Sequence, residues 1–282
     1  MRAIEQVNAM QAWSREVRGR DGLKVALVPT MGALHEGHLS LVRAARAETD
    51  VVVVTLFVNP AQFEDAGDLA AYPHDEDRDA ALAARAGADL LFAPPAAEVY
   101  PPGFATTVHV GGVTEPLEGE HRGASHFDGV ATVVLKLLNV AAPDVAFFGQ
   151  KDAQQAVVVR RLVRDLDVPV RIDVRPIVRE PDGLALSSRN AHLRGADRER
   201  ALALSRALRA AESEVAAGER DAGRVRAAAL EAMEPFAVEP EYLALVDPGS
   251  LEPVATVDGE VLVAVAARVG PTRLIDNVLL TT

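Results

Sequence analysis

The sequence predicts a doubly wound α/β domain, in which helices cover both faces of a parallel sheet, followed by a smaller C-terminal α+β domain. Strand-like runs rich in β-branched residues recur through the first two-thirds of the 282 residues. Amphipathic helical patterns separate most of these runs. Strands of a parallel sheet are buried on both faces, so they read as continuous apolar runs joined by crossover helices. The alternation therefore favours a parallel sheet between two layers of helices.

Five segments of the first domain have strand character. They are KVALVPT, DVVVVTLFVN, ADLLFAP, DVAFFG and PVRIDVRPIV, at residues 24–30, 50–59, 88–94, 144–149 and 169–178. Helical patterns occupy residues 38–49, about 75–86, 129–141 and 152–166. In sheets of this kind, ligands bind beyond the carboxyl ends of the strands. The residues that follow each strand are therefore the ones to inspect.

The composition of the chain changes after residue 178. REPDGLALSSRN is polar and rich in turn residues, and Ala/Arg/Glu-rich helical patterns follow at 195–218 and 222–234. Short strands are expected near 241–246, 261–267 and 273–280. We predict a first domain of residues 1–177 and a smaller α+β domain of residues 178–282.

Charge and composition exclude several classes of protein. The formal net charge of −12 repels polyanions and argues against nucleic-acid binding. The absence of cysteine excludes disulfides, thiolate nucleophiles and sulfur-ligated zinc, and it fits a reducing compartment. The start has no signal-peptide core, and the longest apolar stretch, around VVVVTLFV, is too short to span a bilayer. We expect a soluble, cytoplasmic protein.

The segment PTMGALHEGHLSLV places His35 and His38 where a strand ends and a helix begins. Backbone N–H groups and the helix dipole make such a junction an anion site, and Gly32 and Gly37 would let a phosphate approach the backbone. The spacing excludes a metalloprotease, because HExxH separates its histidines by four positions and HEGH by three. The alternative is a pair of structural histidines with satisfied hydrogen bonds.

In the segment FVNPAQF, Asn59 and Gln62 follow the next strand. Two neutral amides beside an anion site suit a small substrate with hydroxyl and carboxylate groups, because amides both donate and accept. An ordinary Asn-Pro turn with an exposed glutamine is the alternative.

In DVAFFGQKDAQQ a strand again leads into a helix start. Lys151 offers a positive charge to phosphate, Asp152 can accept from ribose hydroxyls, and Gln155 lies one turn further on. A plain helix N-cap at Asp152 explains the same residue.

In LALSSRN, Ser187, Ser188 and Arg189 can close over a polyphosphate, with the guanidinium taking two oxygens. The alternative is a capped helix start with a solvated arginine. No Walker A loop or GxGxxG motif is present.

These four segments, in this order and spacing, closely resemble the pantoate–beta-alanine ligase family of the HxGH nucleotidyltransferase superfamily. The resemblance extends through YPPGFATTVHVGGVTEPLEGEHRG, HFDGVATVVLKLLN and ARVGPTRLIDN, so it covers nearly the whole chain. It implies a Rossmann-like amino-terminal domain, a smaller carboxyl-terminal lid and a homodimer. It also implies that pantoate attacks MgATP to give pantoyl adenylate and pyrophosphate, after which beta-alanine displaces AMP to give pantothenate.

The resemblance assigns roles to individual residues. His38 is the proposed proton donor, and His35, Lys151 and Arg189 complete the catalytic set. Binding of pantoate and beta-alanine is assigned to Gln62, Gln155 and Asn59. Magnesium accompanies ATP without an assigned ligand. Asp75, Asp77 and Asp79 are acidic, but a solvated helix face accounts for them. The ATP contacts are assigned to Met31 (through its backbone), Gly32, His35, Gly37, His38, Gly149, Lys151, Asp152, Val178, Leu186, Ser187, Ser188 and Arg189.

Three departures from the family pattern bear on the site. Gln150 stands where the family commonly has glutamate, and YPH at 72–74 replaces YPR. RGASHF at 122–127 is one residue longer than the usual RPGHF, which affects the placement of Arg122 and His126.

Two other functions are weighed against the ligase. A different HxGH nucleotidyltransferase would join a nucleotide to a phosphate ester. Such a substrate needs a second cluster of Lys and Arg, and the neutral pair Gln62 and Gln155 argues against it. A regulatory nucleotide-binding protein would have lost catalytic residues, and this chain retains the proposed ones.

Overall fold

The parallel sheet lies in the first of two units into which the chain divides. A computed structural model describes residues 1–19, 22–63, 67, 69, 72 and 74–282. The first unit comprises Met1–Gly149 and Val158–Arg175, and the second comprises Gln150–Val157 and Pro176–Thr282. A functional division between residues 177 and 178 stays a prediction.

The first unit alternates strands and helices, as the apolar runs predict. Helix α7 (Ala153–Asp165) follows strand β5 (Val145–Gly149). Its residues up to Val157 belong to the second unit, and those from Val158 onward belong to the first. The other elements, in chain order, are β1 (Arg2–Ile4), α1 (Val7–Arg18), β2 (Val25–Thr30), α2 (Glu36–Glu48), β3 (Val51–Leu56), α3 (Glu76–Ala86), β4 (Leu90–Phe92), α4 (Ala96–Val99), α5 (Glu118–Arg122), α6 (Ala124–Ala141), β5 (Val145–Gly149) and β6 (Arg171–Arg175).

The six strands form one sheet in the order β1-β4-β3-β2-β5-β6, and every neighbouring pair is parallel. The predicted parallel sheet is confirmed. The edge strand β1 escaped the sequence analysis, because its three residues are too few for a periodic pattern. The strand order reverses at β2, which pairs with β3 on one side and β5 on the other. The carboxyl ends at Thr30, Leu56 and Gly149 therefore share the edge where doubly wound sheets bind ligands.

Alternate residues of the buried strands belong to two separate apolar layers. Val25 and Leu27 of β2 pack in a cluster that includes residues of α1 and α6. Ala26 and Val28 pack in a second cluster with residues of α2 and α3. Because successive side chains of a strand point to opposite faces, the fully apolar run of β2 serves both layers.

The second unit is a small α+β structure, as predicted. Its three strands, β7 (Pro240–Val246), β8 (Glu260–Val269) and β9 (Thr272–Thr281), form an antiparallel sheet in the order β7-β8-β9. Fully buried alanines of α9, at positions 203, 207 and 211, pack in the core with residues of β8. Small side chains at one-turn spacing let a helix lie close to a sheet. The elements are α8 (Ala196–Arg200), α9 (Leu202–Ala216), α10 (Ala222–Glu231), β7 (Pro240–Val246), β8 (Glu260–Val269) and β9 (Thr272–Thr281).

Within the described part of the chain, no helix combines the length and the apolar character that a membrane span requires.

Candidate functional site

Two buried threonines fix the direction in which the chain leaves β2. Thr30 Oγ1 donates to the backbone oxygen of Thr55 at 2.6 Å, and the Thr30 N–H donates to Thr55 Oγ1 at 3.2 Å. The Gly32 N–H then donates to Thr30 Oγ1 at 3.3 Å. Buried backbone groups need such partners because water does not reach them. Sequence reasoning missed this pair, since threonine is ordinary in any strand.

Asp79 anchors the same turn from α3. It is 1% exposed, and its Oδ1 accepts from the Leu34 N–H at 2.9 Å. Gly32 has φ +88°, and a Cβ there would lie 3.1 Å from Asp79 Oδ2, so glycine serves both the backbone conformation and the close approach. The expectation of a solvated face is therefore wrong for Asp79. Asp75 and Asp77 are exposed, and Asp75 caps α3.

His35 and His38 hold the amino end of α2 reciprocally. The Gly37 N–H donates to His35 Nδ1 at 3.1 Å, and the His35 N–H donates to His38 Nδ1 at 3.4 Å. The ring centroids lie 4.1 Å apart. A Cβ on residue 37 would lie 2.9 Å from the His35 ring, so Gly37 makes room for that imidazole. A nucleotide contact by Gly37 stays a prediction.

These hydrogen bonds set the tautomer of both rings. Because each Nδ1 accepts, the neutral imidazole of His35 and that of His38 carry the proton on Nε2. An Nε2–H donor at a helix amino terminus adds to the backbone N–H groups and dipole that favour an anion there. The structural and the functional interpretation of the pair are therefore compatible.

Asn59 is buried, and its side-chain amide forms hydrogen bonds within the protein. It is 1% exposed, and its Nδ2 donates to Gln62 Oε1 and to the Gly129 oxygen, each at 3.1 Å. Its Oδ1 accepts from the Ala61 N–H at 3.3 Å and from the Tyr100 hydroxyl at 2.7 Å. An amide has two N–H bonds and two lone pairs, and all are engaged. This geometry makes Asn59 orient Gln62. A contact of Asn59 with pantoate or beta-alanine stays a prediction.

Gln62 is held from several sides in a 3₁₀ turn, Pro60–Gln62. Its Nε2 donates to Met31 Sδ at 2.8 Å, and its backbone oxygen lies 3.1 Å from His126 Nδ1. His126 Nε2 in turn lies 3.4 Å from an Arg122 nitrogen, and Arg122 Nε donates to the buried Glu118 at 3.0 Å. The longer RGASHF segment thus links Arg122 and His126 to this turn, with Gly123 (φ +72°) between α5 and α6.

In the second unit, Lys151, Ser187 and Arg189 line one pocket. Asn190, Arg273 and Asp276 also line it. The Lys151 side chain is 18% exposed, and its Nζ lies 3.6 Å from the half-exposed carboxylate of Asp152. Lys151, Ser187 and Arg189 come from two separate sequence motifs and line the same pocket. Two of them, Lys151 and Arg189, carry a positive charge.

A short hairpin leads to Ser187 and Arg189. Arg179 and Ala185 form an antiparallel β-bridge, and the Leu186 N–H donates to the Val178 oxygen at 2.9 Å. Ser187 Oγ then accepts from the N–H of the exposed Arg189 at 3.2 Å and caps a 3₁₀ turn, Ser188–His192. The capped-turn alternative is correct for Ser187, and it leaves the guanidinium of Arg189 at the surface.

Two adjacent buried residues of β9, Asp276 and Asn277, were missed by the sequence analysis. Asp276 pairs with Arg179, and Asn277 bonds the turn that contains Gln150 and Lys151. Burial raises the pKa of the Asp276 carboxyl, and the positive charges of Arg179 and Lys151 oppose that rise. The signal in the sequence was an Asp-Asn pair inside an otherwise apolar strand, RLIDNVLL.

The remaining predicted residues are less constrained. Gly149 ends β5, and a Cβ there would meet no atom within 4 Å. Gln155 is partly buried in the first turn of α7, and Asp152 is exposed. Of the YPH motif, Pro73 lies outside the described residues. Among the described residues, no group of three or more His, Asp or Glu side chains is arranged to hold a metal ion.

Comparison with known proteins shows which family the chain belongs to. The family model described as pantoate-beta-alanine ligase matches residues 2–279. The chain belongs to the pantoate–beta-alanine ligase family. A pantothenate synthetase of Heliobacterium modesticaldum is 52% identical over 281 residues, which are 99% of either chain. The predictions of an enzyme and of this family are confirmed.

Solved structures of this ligase family share the fold. A pantoate-beta-alanine ligase (pantothenate synthetase) from Thermus thermophilus has 45% identity and a TM-score of 0.92, over 99% of both chains. A pantoate-beta-alanine ligase from Francisella tularensis, complexed with beta-gamma ATP and beta-alanine, has 32% identity and a TM-score of 0.81. That comparison covers 99% of this chain and 97% of the other.

Replacing Gly129 tests how closely α6 packs against the turn of Gln62. A Cβ at residue 129 would lie 2.3 Å from the Ala61 oxygen, so Gly129→Ala should lower the ligase's free energy of unfolding by about 1–3 kcal/mol through overpacking. Helix propensity alone predicts a gain of about 1 kcal/mol. Urea unfolding measures the sign. The control is Gly111→Ala, where the nearest atom lies 3.9 Å away and we expect little change. A stabilised Gly129→Ala ligase would contradict the packing.

The half-buried side chain of Tyr100 predicts a loss of stability at high pH. Burial raises its pKa to about 12, so the folded ligase keeps this proton in a range where the unfolded chain, with a pKa near 10, has lost it. The stabilisation is complete below pH 10 and falls as pH rises towards 12. We expect the unfolding free energy of the wild type to fall more steeply above pH 10 than that of Tyr100→Phe. Parallel curves for the two proteins would refute this assignment.

Proposed function

We propose that the chain condenses pantoate with beta-alanine through a pantoyl-adenylate intermediate, at the expense of one ATP, and releases pyrophosphate and then AMP. The observation that carries the proposal is the His35–His38 pair, whose Nε2–H tautomers lie at the helix start that follows β2, in a chain of this ligase family. The beta-gamma ATP and beta-alanine in the complex of the Francisella tularensis relative support ATP and beta-alanine as substrates.

The chemistry explains why adenylation comes first. A carboxylate is a poor electrophile at neutral pH, and its conversion into a mixed anhydride with AMP provides AMP as a stable leaving group. The protein's main tasks are to orient the reactants and to stabilise the charge that develops on the phosphate oxygens. Magnesium enters the proposal as part of the substrate MgATP, and no described residue is assigned to it.

In the first unit, we assign phosphate binding to the Nε2–H groups of His35 and His38. Met31 and Gly32 contribute nucleotide contacts through the backbone. Gln62 binds pantoate, and its amide is already oriented by Asn59 and by Met31 Sδ. A preoriented amide loses little entropy when the substrate binds, which favours affinity.

In the second unit, Lys151 and Arg189 supply positive charge to the polyphosphate, with Ser187 and Ser188 as hydrogen-bond donors. Asp152 binds ribose, and Gln155 binds pantoate. These roles follow from the family resemblance and from the pocket that Lys151, Ser187 and Arg189 share. Nucleotide contacts by Gly149, Val178 and Leu186 are part of the same proposal, as are a homodimer and a cytoplasmic location.

A coupled assay tests the proposed function. Pyrophosphate release from ATP should require pantoate, and AMP should appear in stoichiometric amounts only when beta-alanine is added. Mass spectrometry should then detect pantothenate. A nucleotidyltransferase that acts on phosphate esters would instead release pyrophosphate with such an ester and never produce AMP. Pantoate-independent pyrophosphate release would overturn the proposal.

Substitutions at His38 separate its chemical role from its cap role. His38→Asn keeps an acceptor for the His35 N–H but lacks an N–H donor at the Nε2 position, so we expect turnover to fall ~100-fold or more, as for the loss of one transition-state donor. Thermal stability and ATP affinity should change little. His38→Gln, which places an amide N–H near that position, should retain more turnover.

His109→Ala serves as the matched control, because that imidazole is 60% exposed. We expect it to turn over at the wild-type rate. Near-wild-type turnover of His38→Asn would refute the role of Nε2–H.

A further inference from the structure

The Asp276–Asn277 pair on β9 connects two segments of the second unit. Each residue is 3% exposed, although their neighbours Leu274 and Leu280 belong to the apolar core. Successive side chains of a strand point to opposite faces, so an adjacent polar pair can contact two different segments. Burying both side chains is costly unless their hydrogen bonds are made. They are made, and the partners are the segment that contains Lys151 and the hairpin that leads to Arg189.

Asn277 holds the turn that contains Lys151. Its Nδ2 donates to the Gln150 oxygen at 2.9 Å and to the Lys151 oxygen at 3.0 Å. Its Oδ1 accepts from Gln150 Nε2 at 3.1 Å. Both N–H bonds of one amide therefore fix consecutive carbonyls of the turn. Gln150, which stands where the family commonly has glutamate, supplies the donor that a carboxylate would lack.

Asp276 holds the hairpin that leads to Ser187. Its two oxygens accept from Arg179 at 2.6 Å and 3.0 Å in a bidentate pair. Arg179 also donates to the Gly183 oxygen at 3.1 Å and to the Asn277 oxygen at 3.3 Å. Since Gly183 lies at the tip of the hairpin, the guanidinium ties the hairpin to β9.

We propose that Asn277 is a positioning residue for Lys151, and that Asp276 acts through Arg179 as the matching anchor of the Ser187–Arg189 segment. The pair sets the spacing between the segment that carries Lys151 and the segment that carries Arg189. This inference rests on the proposed function, because it assigns the pocket to the polyphosphate of ATP. A lysine on a flexible stem stabilises a developing charge only when its backbone is fixed beforehand.

A double-mutant cycle between Asn277 and Lys151 tests the proposal. Four proteins are compared: the wild type, Asn277→Ala, Lys151→Ala and the double variant. The measured quantities are kcat and KM for ATP and for pantoate in pantoate-dependent pyrophosphate release. If Asn277 acts through Lys151, Asn277→Ala lowers kcat/KM for ATP about 10-fold or more in the wild type and less than about 2-fold in the Lys151→Ala background. The KM for pantoate should stay within about 2-fold.

An effect of equal size in both backgrounds, or no effect in the wild type, would overturn the proposal, because a merely structural role is additive. Thr272→Val is the control from the same strand, where a buried side chain of equal shape is replaced away from the turn. It should leave every constant within about 2-fold of the wild type.

Gln150→Ala provides a variant that leaves the core of the second unit intact. It removes only the donor to Asn277 Oδ1, so we expect a loss of about 2-fold to 5-fold that disappears in the Lys151→Ala background. A loss that persists in that background would count against the proposal even if Asn277→Ala failed to fold.

Failure of the proposed function gives a different result. The wild type would then show no pantoate-dependent pyrophosphate release, while the same cycle, read by equilibrium titration with ATP, would still decide whether Asn277 acts through Lys151. Coupled losses of ATP affinity support the inference, and additive losses overturn it.

Discussion

Parallel pairing of β2 with β3 on one side and with β5 on the other is the constraint on which the rest of the first unit depends. Parallel strands need crossover helices, and those helices cover both faces of the sheet. The same pairing aligns the carboxyl ends of the three strands at one edge. Thr30, Phe57 and Gly149 lie at or just past these ends, so the loops that follow the three strands begin at the same edge of the sheet although they are far apart in the chain. Threonine hydroxyls and the buried Asp79 then fix the turn after β2, because the N–H groups of the buried Gly32 and Leu34 need partners within the protein.

Buried polar side chains in both units hold backbone turns and so orient the residues that are assigned to chemistry. The amide of Asn59 donates to Gln62 Oε1 and to the Gly129 oxygen, and these bonds orient Gln62. Asn277 fixes two consecutive carbonyls, and Lys151 is carried by that turn. The reciprocal bonds of His35 and His38 set the tautomer of both rings. An unpaired buried amide or carboxylate costs more than a bond gains, so these supports fix a single geometry.

The close approach of elements depends on particular glycines. A side chain at Gly129 would overlap a backbone carbonyl, and one at Gly37 would overlap the His35 ring. Neither requirement was visible in the sequence. The helical pattern placed the start of α6 at residue 129, whereas the helix begins at Ala124 and carries Gly129 inside it. In a sequence, a glycine indicates the end of a helix. Only the structure shows when a close neighbouring atom requires a glycine inside the helix.

The sequence alone determined the parallel sheet, the α+β unit that follows it and the family, and it supplied the segments to which we assign the site residues. Apolar runs, helical periodicity and motif order are local properties, and the local physics of strands and helix starts is enough to interpret them. Only the tertiary structure decided that Asp79 is buried, that Asn59 orients Gln62, and that Asp276 and Asn277 anchor Arg179 and the Lys151 turn. These roles depend on contacts between residues up to 127 positions apart. No local pattern encodes such contacts, because a polar residue's role is set by the partner that packing brings to it.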